Sequence, residues 1–520
     1  MSQNAQFPGL PTEILGIILG LCTPRQLLDI RRICRRVNSV AEPLIFSTVA
    51  IYSSGLLELT ADLVKSLAEG ETKASLYARR LIVEPKETFY LQFDIEEHPL
   101  TPQIQEYLAP ALASLKNVRS VRWVSQEAEP DWFIDAVSRF IFQGQGLDEL
   151  EIERTWVTLP PLLSLPNLRS LSMTMMQHNL QSFSAIITNS PNLTFLSIDS
   201  FWCSNSPISL NEIFDNFAEP RRLLHLNLRG AILDLSDNAL QHLRSLRTLR
   251  LNGQWYKEPT DLGENEDEDR EIEEGDHSRD PAPVRVDRIK QIRPKSTAFW
   301  STLQRESIRL DELHVDQVDH AVCDYIASYT GLRELHLPKV DGTRRALVDH
   351  LADYFYTHAL PKHITTLERL CLVSSYASTW ALGPNNSSLF LQCKNLRYLQ
   401  IGWSAEDLDA KKKLYGILDL SATLPLLNEL TISYSFRRSV RRSRRLMNWS
   451  WIYDKLAHSA LPKYGPIDSQ KHLHRIQVHK LKWELVQCGD TWRYRHNDLS
   501  TTALPISPPS TDHSDLVGDN

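Results

Sequence analysis

A six-residue phrase, L-x-x-L-x-L, recurs along this chain and constrains its fold more than any other feature. It reads Val118-Val121-Trp123, Leu147-Leu150-Ile152, Leu168-Leu171-Met173, Leu193-Leu196-Ile198, Leu223-Leu226-Leu228 and Leu246-Leu249-Leu251. After an interruption it resumes as Leu310-Leu313-Val315, Leu332-Leu335-Leu337, Leu367-Leu370-Leu372, Leu396-Leu399-Ile401, Leu427-Leu430-Ile432 and Leu473-Ile476-Val478, and an early copy is Ala78-Leu81-Val83. The last two apolar residues of each phrase stand two apart, so they leave a short strand on one side while the residues between them leave it on the other. One such strand cannot bury its apolar side alone. Copies stacked as a parallel sheet, with the first apolar residue and the connecting segments behind, bury one continuous core.

Neighbouring phrases such as those at Leu147 and Leu168, or Leu332 and Leu367, lie between 21 and 35 residues apart, and the longer intervals leave room for a helix. Apolar spacing predicts such helices at Asp135 to Phe142, Ser182 to Asn189, Leu210 to Phe217, Cys323 to Tyr329 and Arg345 to Tyr356. The expected class is α/β, a solenoid with parallel strands on the concave side and helices or loops on the convex side. A mixed bundle of alternating strands and helices is the other architecture open to this pattern.

Ahead of the repeats lies Leu10 to Phe46, where two or three short helices are expected in fewer than forty residues. Pro11 stops what precedes it and Thr12 is suited to cap a helix whose apolar stripe is Ile14, Leu15, Ile18, Leu19 and Cys22. Thr23 with Gln26 forms a capping box around Pro24, and Leu27, Ile30, Cys34, Val37 and Ala41 continue at helical spacing. Arg25, Arg31, Arg32, Arg35 and Arg36 fall between the stripes and are expected in solvent. So short a segment is expected to cover its apolar faces with an outside partner, or with the body of its own chain.

Leu10, Pro11, Glu13, Ile14, Leu15, Ile18, Leu19, Leu27, Leu28, Ile33, Cys34, Arg35 and the closing Pro43-Leu44-Ile45-Phe46 resemble the F-box, a small all-helical docking motif. The family usually carries an aromatic where this chain has Val37. The phrases from Val118 to Ile432 resemble the leucine-rich repeats that follow an F-box in divergent, fungal-type receptors, although no regular Asn follows the third apolar residue. The resemblance implies a substrate-recognition subunit of an SCF-type cullin-RING ubiquitin ligase, without catalytic residues or cofactors of its own. It implies that Leu10, Pro11, Ile14, Leu15, Ile18, Leu19, Leu27, Ile33 and Cys34 dock the adaptor, and through it a cullin, while the solenoid takes a protein substrate. A leucine-rich-repeat scaffold acting outside any ligase is the alternative.

In a stacked array the residues between the buried columns line the concave face. Candidate recognition residues are Glu149, Glu151, Arg229, Arg250, Glu312, His314, Asp316, Glu334, His336 and Tyr398. This mixture of signs suits a protein ligand better than a polyanion, and a net charge of −7 argues against nucleic acid as partner. The longest apolar run, Ile14 to Cys22, is too short to span a bilayer, so no membrane partner is expected. Seven scattered cysteines suggest neither a disulfide framework nor a metal site, which suits a reducing compartment, cytoplasm or nucleus. Gly-rich phosphate loops, H-E-x-x-H pairs and G-x-S-x-G elbows are absent from the sequence, and His472, His474 and His479 read as surface residues.

The expected organisation is an F-box at 5–50, a helical connection at 51–77, repeats at 78–252, an acidic insertion at 253–300, further repeats with a cap at 301–490 and a disordered tail at 491–520. Asp261 to Asp276 holds ten carboxylates against one Arg and reads as a solvated insertion, or as an acidic lure for a basic partner. Arg437, Arg438, Arg441, Arg442, Arg444 and Arg445 form a run that fits an exposed face, an import signal or a phosphate-reading patch. Trp449, Trp451 and Tyr453 read as part of a cap on the open end.

Overall fold

The computed structural model describes residues 10–86, 98–126, 129–143, 146–153, 165–174, 180–200, 209–215, 217, 219–253, 294–338, 345–373, 379–404, 410–435, 457–461, 473, 475–478, 481–488 and 491–496. The acidic segment 261–276, the Arg run 437–445, Trp449 to Tyr453, His472, His474, His479 and the residues beyond 496 lie outside them. The chain divides into two compact units, Met1–Leu332 and Arg333–Asn520.

In the first unit three helices, α1 (Thr12–Gly20), α2 (Pro24–Ile30) and α3 (Arg35–Ile45), precede nine strands that pair in chain order and run parallel. They are β1 (Thr48–Ser54), β2 (Arg80–Pro85), β3 (Ser120–Val124), β4 (Glu149–Glu153), β5 (Ser170–Thr174), β6 (Phe195–Asp199), β7 (His225–Arg229), β8 (Thr248–Asn252) and β9 (Glu312–Val315). The register aligns the second apolar residue of every phrase: Leu81 pairs with Val121, Val121 with Leu150, Leu150 with Leu171, and the column continues through Leu196, Leu226 and Leu249 to Leu313. The third residues form a second column, Val83, Trp123, Ile152, Met173, Ile198, Leu228, Leu251 and Val315, and both columns are buried. A one-residue slip at any strand would send its pair to the opposite face, so burial itself fixes the register.

Of the helices the apolar spacing predicts, α7 (Asp131–Gln143), α8 (Leu180–Thr188) and α9 (Leu210–Phe214) are present with shifted ends; α4 (Leu57–Ala68) and α5 (Ala74–Tyr77) fill the expected helical connection, and α6 (Thr101–Ser114) and α10 (Asp237–Leu243) are additional. The strand β1 was not anticipated. Its buried Val49 and Ile51 stand three and five residues after Phe46, the spacing of the phrase, so it joins the array as a further copy.

The second unit contains β10 (Glu334–Leu337), β11 (Arg369–Leu372), β12 (Tyr398–Ser404), β13 (Glu429–Ser435) and β14 (Arg475–Val478), again parallel in chain order. Helix Arg345–Tyr354 leads into a π-helical turn, Phe355–Ala359, between the first two. Two antiparallel strands, β15 (Leu481–Cys488) and β16 (Thr491–His496), follow β14. Residues 491–496 therefore belong to the sheet rather than to a tail. Their sequence, TWRYRH, alternates as a strand does, with Tyr494 buried and its hydroxyl donating to the Leu473 carbonyl at 2.7 Å.

The turns entering each strand explain why an Asn after the phrase is dispensable. The carbonyl of the residue before a strand accepts two N–H groups from the next repeat: Arg79 O from Arg119 and Ser120, Arg119 O from Asp148 and Glu149, Arg169 O from Thr194 and Phe195. An Asn before the phrase then ties neighbouring repeats. The side chains of Asn117, Asn192 and Asn395 donate to the carbonyls of Leu76 (2.9 Å), Pro166 (2.9 Å) and Thr365 (2.6 Å). In each case the acceptor lies one residue further back in its own repeat than the donor does. Asn192→Ala is expected to lower the stability of the first unit by about 1 kcal/mol, the typical net worth of such a bond, read as a lower urea midpoint at unchanged m-value. An unchanged midpoint would mean that the ladder is geometry without energy.

Candidate functional site

The N-terminal module builds a small core of its own. Leu19, Leu27, Val37 and Ala41 are buried together, with Cys22, Ile30, Cys34, Val40, Leu44 and Ile45 packed around them. The capping box at α2 is present, Thr23 N donating to Gln26 Oε1 at 2.8 Å and Gln26 N to Thr23 Oγ1 at 3.3 Å. Thr12 does not cap α1. It is the first helical residue, Pro11 occupies the cap position, and no side chain closes that end. Arg36 donates to the Leu10 carbonyl at 2.6 Å and so ties α3 back to the start of α1. Glu42, itself buried, receives Lys73 Nζ at 2.9 Å on both oxygens, which fastens α3 to the turn before α5.

This core divides the nine predicted adaptor residues. Leu15, Leu19 and Leu27 are buried within the chain and closed to a partner, a correction to their assignment as contacts. Leu10, Ile18 and Cys34 are half-buried, whereas Pro11, Ile14 and Ile33 are exposed. Val37 is fully buried too and belongs to the internal packing of the module rather than to its outer surface. Of the flanking cations, Arg31 is half-buried and bonded to Asn38 Oδ1 at 3.1 Å, while Arg25, Arg32, Arg35 and Arg36 are exposed.

What sequence reading passed over is the other side of α1 and α2. Ile17 is 65% exposed and Leu21 84%, beside Ile14 at 43%, Leu28 at 48% and Ile33 at 62%. The signal was in the sequence, since Ile14, Ile17 and Leu21 recur at i, i+3 and i+7. Choosing between two apolar stripes on one helix needs the neighbouring helix.

On the first unit's sheet, the residues between the buried columns carry charges that pair across strands. Arg122 lies 2.9 Å from Glu153, 3.6 Å from Glu151 and 3.8 Å from Glu84. Burial, against the pull of Arg122 and with the push of the Glu153 carboxylate, holds the Glu151 pKa above its ordinary value. Glu149 is exposed beside this cluster. Arg229 meets Asp199 at 3.1 Å, and Arg250 meets Glu312 at 3.6 Å. His314 stands opposite Arg250 in the register. Asp316 accepts the Gly253 N–H at 2.5 Å, at a turn where Gly253 has φ +91° and a Cβ would come within 3.3 Å of the Gly230 nitrogen. Asp316 is thus committed to a backbone turn.

Two titratable residues of this unit, neither anticipated, are buried with no ion pair of their own among the described residues. Glu129, after β3, is 7% exposed and faces the Ser53 hydroxyl, the Gln126 backbone and the Trp123 indole, and burial raises its pKa to about 7. His242, on α10, is fully buried, stacked on Phe214 at 5.3 Å and edge-on to Phe217 at 5.0 Å, and its Nδ1 accepts the Arg221 N–H at 2.9 Å. Burial, helped by the Arg221 charge, lowers its pKa to about 4.

In the second unit Glu334, His336 and Tyr398 come together. Glu334 lies 3.6 Å from Arg369 and 4.0 Å from His336, and the Arg369 guanidinium sits 4.7 Å over the Tyr398 ring. The Tyr398 hydroxyl donates to Gln400 Oε1 at 2.9 Å, and Gln400 Nε2 to Ser433 Oγ at 2.9 Å. Cys371, between His336 and Gln400 in the register and donating to Gln400 Oε1 at 3.3 Å, is held protonated by burial, which pushes its thiol up to about 12. Paired charges over a rigid sheet are worth little for stability, but they present fixed directional groups to a ligand.

No family model matches the sequence, and no curated protein matches it. Among solved structures it is similar to a chain of the crystal structure of the Rad7 and Elc1 complex in yeast, with 12% identity, a TM-score of 0.35, and coverage of 82% of this chain and 90% of that one. A likeness this distant carries neither function nor partner across.

Proposed function

We propose that this chain is a substrate receptor of an SCF-type cullin-RING ubiquitin ligase, with the N-terminal helices docking the adaptor and the sheet surfaces binding a protein substrate. In this reading it supplies no catalytic group, works in the cytoplasm or nucleus, and reaches the cullin through the adaptor. The observation that carries it is the exposure of Ile14, Ile17, Leu21, Leu28 and Ile33 on a module that already has its own core. Large apolar side chains left exposed together on a short helical module are the material of an interaction site. Covering each side chain is worth roughly 1.5–3 kcal/mol, enough in sum for stable association after its entropic cost.

The test is affinity purification of the wild type and of Ile17→Asp with Leu21→Asp, read by mass spectrometry. Adaptor and cullin are expected with the wild type and absent from the double variant, whose circular dichroism is unchanged because neither residue belongs to the core. Recovery of partners without adaptor or cullin would sink the ligase reading in favour of a scaffold.

A further inference from the structure

We propose that the helix side of the first unit holds a binding site for a small amphipathic organic anion, a carboxylate on an apolar body, in the groove between α6 and α7. The groove, open to solvent along one side, offers about 390 Å³, within the roughly 300–1,000 Å³ of small-molecule sites. Its origin is legible in the residues. Ala109 and Ala113 stand one turn apart on α6, and Ala136 lines the same groove from α7, so three small side chains leave room where two helices would otherwise interdigitate. Leu112 and Leu115, both buried, help to form an apolar floor.

The charged residues at the groove are Lys116 and Arg139, both exposed, and no carboxylate lines it. On and beside the strands of this unit, Arg122, Arg229, Arg247 and Arg250 each face a carboxylate within 4 Å. Neither Lys116 nor Arg139 makes an ion pair among the described residues. A cleft with an apolar floor and two cations, Lys116 and Arg139, on its lining suits a ligand that is apolar along its body and anionic at one end. A free small molecule fits better than a polypeptide, because the volume suits a body of about ten to fifteen heavy atoms rather than a run of residues. The competing role for the cations is to balance the partial negative charge at the C-terminal ends of α6 and α7.

The probes are 8-anilinonaphthalene-1-sulfonate, followed by fluorescence on the full chain, with decanoate as competitor and decanol as its uncharged counterpart. Saturable binding displaced by decanoate is expected. Lys116→Glu with Arg139→Glu should weaken decanoate by roughly tenfold or more while leaving decanol unchanged. Ala113→Trp, which fills the groove from its exposed side, should abolish both, and the wild-type circular dichroism of each variant certifies the fold. Absence of binding at millimolar decanoate overturns the proposal, as does binding that neither variant alters. If charge reversal lowers the melting temperature but leaves decanoate affinity intact, the cations serve the helix ends and the site is refuted.

Discussion

Between pH 4.5 and 6.5 two buried groups should tilt the stability of the first unit in opposite directions, and removing either one should expose the slope of the other. Glu129 keeps its proton in the folded chain up to about pH 7, whereas an unfolded glutamate releases it near 4.5. The folded state therefore binds more protons across that window, and stability falls as pH rises through it. His242 behaves in reverse. Unfolded it takes a proton near 6.5, folded only near 4, so stability is lost as pH falls. Each displacement, from 4.5 to about 7 and from 6.5 to about 4, corresponds in full to about 3.5 kcal/mol at about 1.4 kcal/mol per pH unit.

Relative to wild type, Glu129→Gln should gain about 3 kcal/mol between pH 4.5 and 7.5, and His242→Phe should gain a similar amount between pH 7 and 4. Each variant carries a fixed penalty as well, from an imperfect amide at Ser53 and Trp123 or from the orphaned Arg221 N–H, so the pH dependence rather than the absolute value is the readout. Urea unfolding followed by tryptophan fluorescence at half-unit pH steps measures it. Variant curves parallel to the wild type would show that these side chains reach water.

Trp380→Ala should be the most damaging single change in the second unit, at about 3–5 kcal/mol. The indole is 1% exposed, with Phe355 at 5.1 Å and Tyr356 at 6.0 Å, and the Trp380 carbonyl accepts the Tyr356 hydroxyl at 2.8 Å. Phe390 closes the cluster against Tyr356 at 6.0 Å. Truncation leaves a void between the π-helical turn and helix Pro384–Phe390 that flat rings cannot close by rotation. Tyr356→Phe, which removes only the hydroxyl, should cost about 1 kcal/mol and sets the scale. Hydrogen exchange over residues 345–404 should accelerate in the alanine variant and scarcely change in the phenylalanine variant. Equal effects would place the stability of this region in the strand columns instead.

These expectations divide by how far along the chain their causes lie. The phrase L-x-x-L-x-L placed Leu150 and Ile152 in two buried columns, because alternation along a strand is a property of five consecutive residues. Helical spacing likewise located α7 and α8 to within a few residues. The capping box at Thr23 was readable for the same reason, since donor and acceptor are three residues apart. Phe46, Val49 and Ile51 carried the same spacing but were overshadowed by the helix preceding them, and β16 was hidden by the polar segment that follows.

The sequence by itself thus determined the repeating unit, its register and the presence of an apolar helical module at the start of the chain. Only the tertiary structure decided which side of that module faces outward, Ile17 and Leu21 rather than Leu15 and Leu19. It likewise decided that Asn192 reaches Pro166, that Glu129 and His242 lose their water, and that Lys116 and Arg139 border a gap left by three alanines. The physical reason is common to all of these. Periodicity is fixed by local backbone geometry, whereas exposure, solvation and charge pairing depend on which distant segment arrives alongside.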